Sequence, residues 1–185
     1  MLDGAAAARV RLVVLDVDGV LTDNGVLIGS VGGERVEFKR FDVQDGLGLA
    51  VLRLAGLEVA VVSGRVSDAT RFRMRELGID EVVQDDGARK LPAVRRLLAA
   101  RDLDWTAVCY VGDDLADVPV MRRVGVPIAV QNAVPEVKEL ARFVTERKGG
   151  DGAVREAIEM LLRARGEWDA AVQRYYRERG DDDQA

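Results

Sequence analysis

The run Leu12-Val13-Val14-Leu15 constrains the fold more than any other stretch of the chain. Four consecutive apolar residues leave no polar face for water, so they read as a short strand buried on both sides. Runs of the same kind recur at Leu57 to Val62, Ala107-Val108-Cys109-Tyr110-Val111 and Pro127-Ile128-Ala129-Val130, with a briefer one at Glu81-Val82-Val83-Gln84. Segments with apolar residues at helical spacing lie between them. Buried strands alternating with helices predict an α/β fold, a single Rossmann-like, doubly wound parallel sheet covered on both faces. Four of the runs end in Asp16, Ser63, Asp113 and Asn132. Ligands of open α/β sheets sit beyond the carboxyl ends of the strands, so these side chains are expected to converge there.

The helices have readable boundaries. Asp45 is the expected cap of a helix running to about Ala55, with Gly56 as its stop, and Ser67 caps another that ends at Arg75-Glu76-Leu77 before Gly78. Lys90 opens a third, with Leu91, Val94, Leu97 and Leu98 at helical spacing. A helix to about Val124 follows the acidic Gly112–Asp117 segment, and Gly125 closes it. A short helix from Pro135 leads to Phe143-Val144, and the glycine-rich turn Gly149–Gly152 opens a helix that reaches Arg165.

Around Gly32-Gly33, two short extended runs predict a hairpin over about 25–41, placed to overhang the first acidic stretch as a flap. The tail, about 166–185, carries Trp168, Val172 and Tyr175 on one helical stripe, which can dock on its own domain or on a neighbouring subunit. From Arg177 the tail is charged and expected to fray. No repeat or linker divides the chain, so 1–185 reads as one domain.

Composition removes several chemistries. There is no histidine, which excludes serine–histidine and cysteine–histidine catalysis and histidine-ligated zinc. The single cysteine, Cys109, sits in an apolar run, which excludes an intramolecular disulfide and reads as a buried thiol. A net charge of -5 without any basic block argues against nucleic acid. No apolar run nears the roughly 20 residues of a membrane span. The N-terminal residues are too few and too uncharged for a signal peptide, so a cytoplasmic location is expected.

What remains is carboxylate, lysine and hydroxyl chemistry. Asp16 and Asp18 end the first strand, and Asp113 ends another. Two carboxylates ~4 Å apart repel by about 4 kcal/mol at an effective dielectric of ~20, so such a cluster calls for a cation, and Mg²⁺ suits oxygen ligands. A carboxylate can attack phosphorus to give an aspartyl-phosphate, while a second protonates the leaving alcohol and then activates water. A cation, Ser63 and Lys90 would spread charge over the phosphoryl oxygens. Each of these residues alone also fits a loop acid, a helix cap or an exposed lysine; the combination carries the reading.

Asp16-Val17-Asp18-Gly19-Val20, Ser63 after a buried strand, Lys90, and Gly112-Asp113-Asp114 with Asp117 resemble the four motifs of the haloacid dehalogenase superfamily of phosphohydrolases. With Phe41…Asp45-Gly46, Ser63-Gly64-Arg65 and Gly149–Glu156, the chain is similar, over roughly residues 10 to 170, to the capless 3-deoxy-D-manno-octulosonate 8-phosphate phosphatases. The resemblance implies Asp16 as nucleophile and Asp18 as general acid/base. It implies Mg²⁺ held by Asp16, the Asp18 main-chain carbonyl and Asp113, with Asp114 and Asp117 supporting the metal end. Ser63, Gly64 and Lys90 would bind the phosphoryl group, and Thr22, Arg65 and Arg73 the rest of the substrate. It further implies hydrolysis of a sugar-acid phosphate in lipopolysaccharide precursor synthesis. It also implies a homotetramer with shared active sites, in which Arg73 reaches a neighbour's substrate.

Spacing agrees with a small lid: 47 positions separate Asp16 from Ser63 and 27 separate Ser63 from Lys90, which leaves no room for a cap domain beyond the hairpin. The chain departs from the family pattern at the longer Gln84–Arg89 loop, which leaves Arg89 as an alternative phosphate ligand, at Asn24, and at Gln131-Asn132 in place of a more usual acidic pairing. Arg65 favours an eight-carbon sugar acid over a nine-carbon one or another small phosphomonoester. A phospho-accepting signalling receiver also gathers acids, a hydroxyl and a lysine on a parallel sheet; the separated Asp16 and Asp18 followed by Gly19 disfavour it.

Overall fold

The computed structural model describes residues 2–181. Its centre is a parallel sheet of six strands in the order β5-β4-β1-β6-β7-β8. The strands are β1 (Leu12–Leu15), β4 (Glu58–Ser63), β5 (Val82–Gln84), β6 (Val108–Gly112), β7 (Val126–Ala129) and β8 (Phe143–Val144). β1, β6 and β7 are buried at every position, as continuous apolar runs require when helices cover both faces. The helices α1 (Gly4–Arg9), α2 (Val43–Leu54), α7 (Ala153–Ala164) and α8 (Trp168–Glu178) pack together in one group, and α4 (Lys90–Ala99), α5 (Val118–Met121) and α6 (Pro135–Leu140) in another. The α/β architecture is the expected one.

Register aims the sheet at one edge. Leu15 pairs with Val61 on one side and Val111 on the other, so Asp16 leaves β1 between the ends of β4 and β6. The small antiparallel pair β2 (Leu27–Val31) and β3 (Glu34–Phe38) stands apart from this sheet, and a bridge between Thr22 and Phe41 ties its base to the loop after β1. α3 (Asp68–Glu76), capped by Ser67 as expected, packs beside β3.

Several boundaries differ from expectation. Asp42, not Asp45, caps α2, accepting from the Gln44 N–H at 2.6 Å. Asp45 lies in the first turn, buried, and its Oδ1 accepts from the Arg155 N–H at 2.8 Å. It thereby caps α7, whose own N-cap is Gly152 in a left-handed conformation with no side chain to offer. Helix α5 has one turn only and ends at Met121, short of Val124; a Cβ on Gly125 would meet the Thr106 carbonyl oxygen at 2.2 Å. Phe143-Val144 joins the sheet as its edge strand. α1, absent from the sequence reading, is a short alanine-rich helix capped by Asp3 and fastened by Arg165, which donates to the Ala7 and Val10 carbonyls at 2.8 and 2.9 Å. The Trp168 stripe docks on the chain's own α2 and α7, and the helix holds to Glu178. Residues 182–185 of the tail lie outside the described residues.

Candidate active site

Asp16 extends β1 by one residue, buried, with its N–H donating to the Val111 carbonyl at 3.1 Å. Lys90 at the first turn of α4 places Nζ 2.8 Å from Asp16 Oδ1 and 2.6 Å from Asp117 Oδ1. An ammonium has three donors, so one is left for an oxygen bound above Asp16. Burial opposes the lysine's charge, but Asp16 and Asp117 outweigh it and hold its pKa above the usual value. Arg89 instead pairs with Asp85 at 3.2 Å and is exposed; Lys90, not Arg89, joins the acids.

Asp117 is saturated. Its Oδ1 accepts from Lys90 and from the Tyr110 hydroxyl (2.5 Å), and its Oδ2 accepts from the N–H groups of Asp113 (3.0 Å) and Asp114 (3.2 Å). Asp16, Asp113 and Asp117 offer oxygens all within 4.8 Å of one another. Both oxygens of Asp117 are thus engaged by hydrogen bonds that tie this cluster together. Asp113 differs: its Oδ1 is buried and has no hydrogen-bond partner among the described residues. Burial, then Asp16 and Asp117, push its pKa up to about 8, and burial, with Asp117 adding to it against Lys90, takes Asp16 to about 6. Buried acids with a spare, unpartnered oxygen fit a divalent cation bound by hard oxygen ligands.

The turn after β1 is held from outside. Gly19 has φ 86, and a Cβ there would meet Asp113 Oδ2 at 2.0 Å, so the backbone lies directly against that acid. Asn132 clamps it: Nδ2 donates to the Gly19 carbonyl at 2.9 Å, while Oδ1 accepts from the Gly149 N–H at 2.6 Å. A Cβ on Gly149 would meet the Gly19 oxygen at 1.8 Å. The departure at position 132 is thus a bridge that an aspartate, lacking a donor, cannot complete. Thr22 lies buried within this turn, accepting from the Gly19 N–H at 3.3 Å and donating to the Val17 carbonyl at 3.3 Å.

Asp18 points the other way. Lys39 from the flap donates to its Oδ1 at 2.7 Å, and Arg65 lies 3.5 Å from its Oδ2. Arg65 also pairs with Glu37 at 3.0 Å. A cavity of about 450 Å³ opens between flap and loop, lined by Arg35, Glu37, Gly64, Arg65 and Ser67. Buried Ser63 exchanges hydrogen bonds with the Arg65 backbone, at 3.0 and 3.2 Å. Gly64 fits tightly under Ala88, whose Cβ would stand 3.0 Å from an added one. A larger groove, about 1070 Å³, lies between α2 and α7 and touches none of these acids.

Two sequence-derived positions stand apart from this cluster. Asp114 is exposed, and its carboxylate accepts only from Leu115 N–H among the described residues. Arg73 pairs with Glu76 at 2.9 Å and donates to the Asp42 carbonyl at 3.4 Å. The sequence signalled no site role for Glu37, Lys39 or Tyr110, and it placed Asn132 at this edge of the sheet without its clamp. The period-two pattern of β3, which puts Glu37 and Lys39 on one face, was the available signal for the first two.

An acid on the central strand, a hydroxyl and an acid on its two neighbours, and a lysine on a following helix define the class: residues 81–158 match the haloacid dehalogenase-like hydrolase family. The chain is 41% identical over 167 residues to the 3-deoxy-D-manno-octulosonate 8-phosphate phosphatase of Escherichia coli K12, covering 90% of this chain and 87% of the relative. The Yersinia pestis protein of the same name is 39% identical over 166 residues, with the same coverage. The Moraxella catarrhalis phosphatase, solved with magnesium, phosphate and a KDO molecule, superposes with a TM-score of 0.86 at 35% identity, covering 93% of this chain and 97% of that one. The cobalt-bound Haemophilus influenzae phosphatase gives 0.81 at 35% identity, covering 89% and 94%. The chain therefore belongs to the 3-deoxy-D-manno-octulosonate 8-phosphate phosphatase family and is a phosphoric monoester hydrolase. No described helix is long and apolar enough to cross a membrane.

Proposed function

We propose that the chain hydrolyses 3-deoxy-D-manno-octulosonate 8-phosphate to the free sugar acid and phosphate, a step of lipopolysaccharide precursor synthesis in the cytoplasm, and that it does so with Mg²⁺. The observation that carries the reading is Asp16, buried at a strand end with Lys90 Nζ at 2.8 Å and the unpartnered Asp113 Oδ1 in the same cluster. The sequence similarity supplies the substrate.

Asp16 attacks phosphorus, and the bond to the sugar oxygen breaks as Asp18 gives that oxygen a proton. Water, deprotonated by Asp18, then attacks the aspartyl-phosphate and releases phosphate, which restores both acids. Lys90, Ser63 and the Gly64 N–H bind the phosphoryl oxygens throughout. Asp16, Asp113 and the Asp18 carbonyl would hold Mg²⁺, which would supply charge neutralisation for the phosphoryl transfer. Asp117 supports them. Arg65 and Thr22 serve the substrate side, Arg65 as a direct contact and Thr22 through the loop it shapes.

The chain acts as one catalytic domain whose own lid is the 25–41 hairpin. Leu27, Ile28, Val31 and Phe38 of that hairpin are each about 60–70% exposed, more apolar surface than a free hairpin needs. This supports a homotetramer in which a neighbour completes each site, with Arg73 and Asp114 available to it. Phosphate release from the sugar-acid phosphate with Mg²⁺, lost in Asp16→Asn, is the expected result. Full activity of that variant, or none in the parent protein across sugar phosphates, overturns the reading. An active monomer by light scattering overturns the shared site.

A further inference from the structure

Beyond the Thr22–Phe41 bridge, the flap meets the loop after β1 through charge. Lys39 follows directly on β3, and its side chain is 0% exposed. Nζ donates to Asp18 Oδ1 at 2.7 Å and to the Thr70 hydroxyl at 3.4 Å, and stands 3.7 Å from Glu37. Glu37 lies two residues earlier, on the same face of the strand. It accepts from Arg65 at 3.0 Å and from Ser67 Oγ at 2.7 Å, and Arg65 returns to Asp18 Oδ2 at 3.5 Å. Asp18, Lys39, Glu37 and Arg65 thus close a ring of alternating charge around the Asp18 carboxylate. Burial works against the Glu37 charge, yet Ser67, Arg65 and Lys39 together hold its pKa below the usual value.

Burying an ammonium is costly, and an apolar side chain of similar length would seal a hairpin base at no such cost. The ring has a different use. It holds Asp18 Oδ1 through a flap residue at 2.7 Å, while Arg65 on the loop after β4, 3.5 Å away, leaves Oδ2 free to carry the proton. From this, and resting on the reading of Asp18 as the proton donor, we propose that Lys39 is a positioning residue. Carried in by the flap, it orients the Asp18 carboxylate towards the leaving-group oxygen. Closing the flap and aiming the acid are then one event. A group displaced by an ångström or so loses about 100-fold in rate, and general acid catalysis contributes roughly 100- to 10,000-fold, so the effect is measurable.

The leaving group separates aiming from mere support of the fold. A sugar alkoxide needs a proton to leave, whereas 4-nitrophenolate does not. In Lys39→Met, kcat/KM for the sugar-acid phosphate is expected to fall about 10- to 100-fold, and kcat/KM for 4-nitrophenyl phosphate by less than about 3-fold. Should the methionine variant melt well below the parent, Lys39→Leu, also without a donor, carries the same comparison at a temperature below both melting transitions. An equal loss on both substrates, or no loss on either, overturns the assignment. Asp18→Asn run in parallel distinguishes the failures: if it too fails to discriminate between leaving groups, the acid role of Asp18 falls; if it discriminates and the Lys39 variants do not, only the Lys39 proposal falls.

Discussion

Replacing Asp117 by asparagine tests how the acidic cluster is held. The carboxylate accepts four hydrogen bonds, two on each oxygen, from the Lys90 ammonium, the Tyr110 hydroxyl and two main-chain N–H groups. An amide has one acceptor oxygen. If it faces the backbone donors, its NH₂ is driven against Lys90 and Tyr110; if it faces them, its NH₂ is driven against the backbone. Either way a buried donor meets a donor: the Lys90 ammonium in the first case, the two main-chain N–H groups in the second. Losing one partner of a buried ion pair costs about 3–5 kcal/mol, and Lys90 keeps Asp16, so the lower value, about 3 kcal/mol, is expected. With a slope of about 1–3 kcal/mol per molar urea, the unfolding midpoint should fall by about 1 M or more. Tyr110→Phe alone should cost about 1 kcal/mol, and close to nothing once Asp117 is asparagine, a coupling of about 1 kcal/mol in the double-mutant cycle. A midpoint that barely moves, or a Tyr110→Phe cost equal in both backgrounds, would refute the view that Asp117 organises the cluster.

Three further outcomes are expected. Asn132→Asp keeps the acceptor for Gly149 but loses the donor to Gly19, so kcat should drop about tenfold while thermal stability shifts by only a few degrees; an unchanged kcat contradicts the clamp. Gly149→Ala forces a Cβ onto the Gly19 carbonyl, and should abolish activity even where soluble protein is recovered, checked by phosphate release. Asp45, pushed up to about 7 by burial against the capping N–H groups of α7, with Asp42 adding to the rise and Arg147 opposing it, binds its proton more tightly folded than unfolded. Its contribution is therefore present below about pH 4 and lost as pH rises towards 7, and Asp45→Asn should flatten urea midpoints across that window. A parallel pH profile in the variant contradicts the assignment.

The sheet and the end at which its polar residues gather were legible because they rest on local patterns: apolar runs, terminating acids and helix-stop glycines. Ser67 and Lys90 mark helix starts in the sequence and in the structure alike. Asp45 misled because a capping carboxylate at a helix start serves its own helix or another's, and only packing distinguishes the two. α1 was missed since alanines show no apolar stripe, and its fastening comes from Arg165, far along the chain. The site's helpers were hidden for the same reason. Lys39 sits in a polar, alternating stretch that reads as solvated hairpin, and nothing local tells that its charge is spent on Asp18. Tyr110 looks like one more core residue of a buried strand until its hydroxyl finds Asp117.

The Asn132 clamp joins residues 113 positions apart, and Arg155 reaches Asp45 across 110. Contacts of such separation close late in folding, after local helices and neighbouring strands have formed. They also hold the buried turn at the carboxyl end of the sheet, beyond the ladder of β1, and the ends of a sheet open at lower free energy than its centre. Reactivity in this chain is therefore the last property gained on folding. It should be the first lost on warming, with phosphate release failing before far-UV circular dichroism records any melting of the sheet.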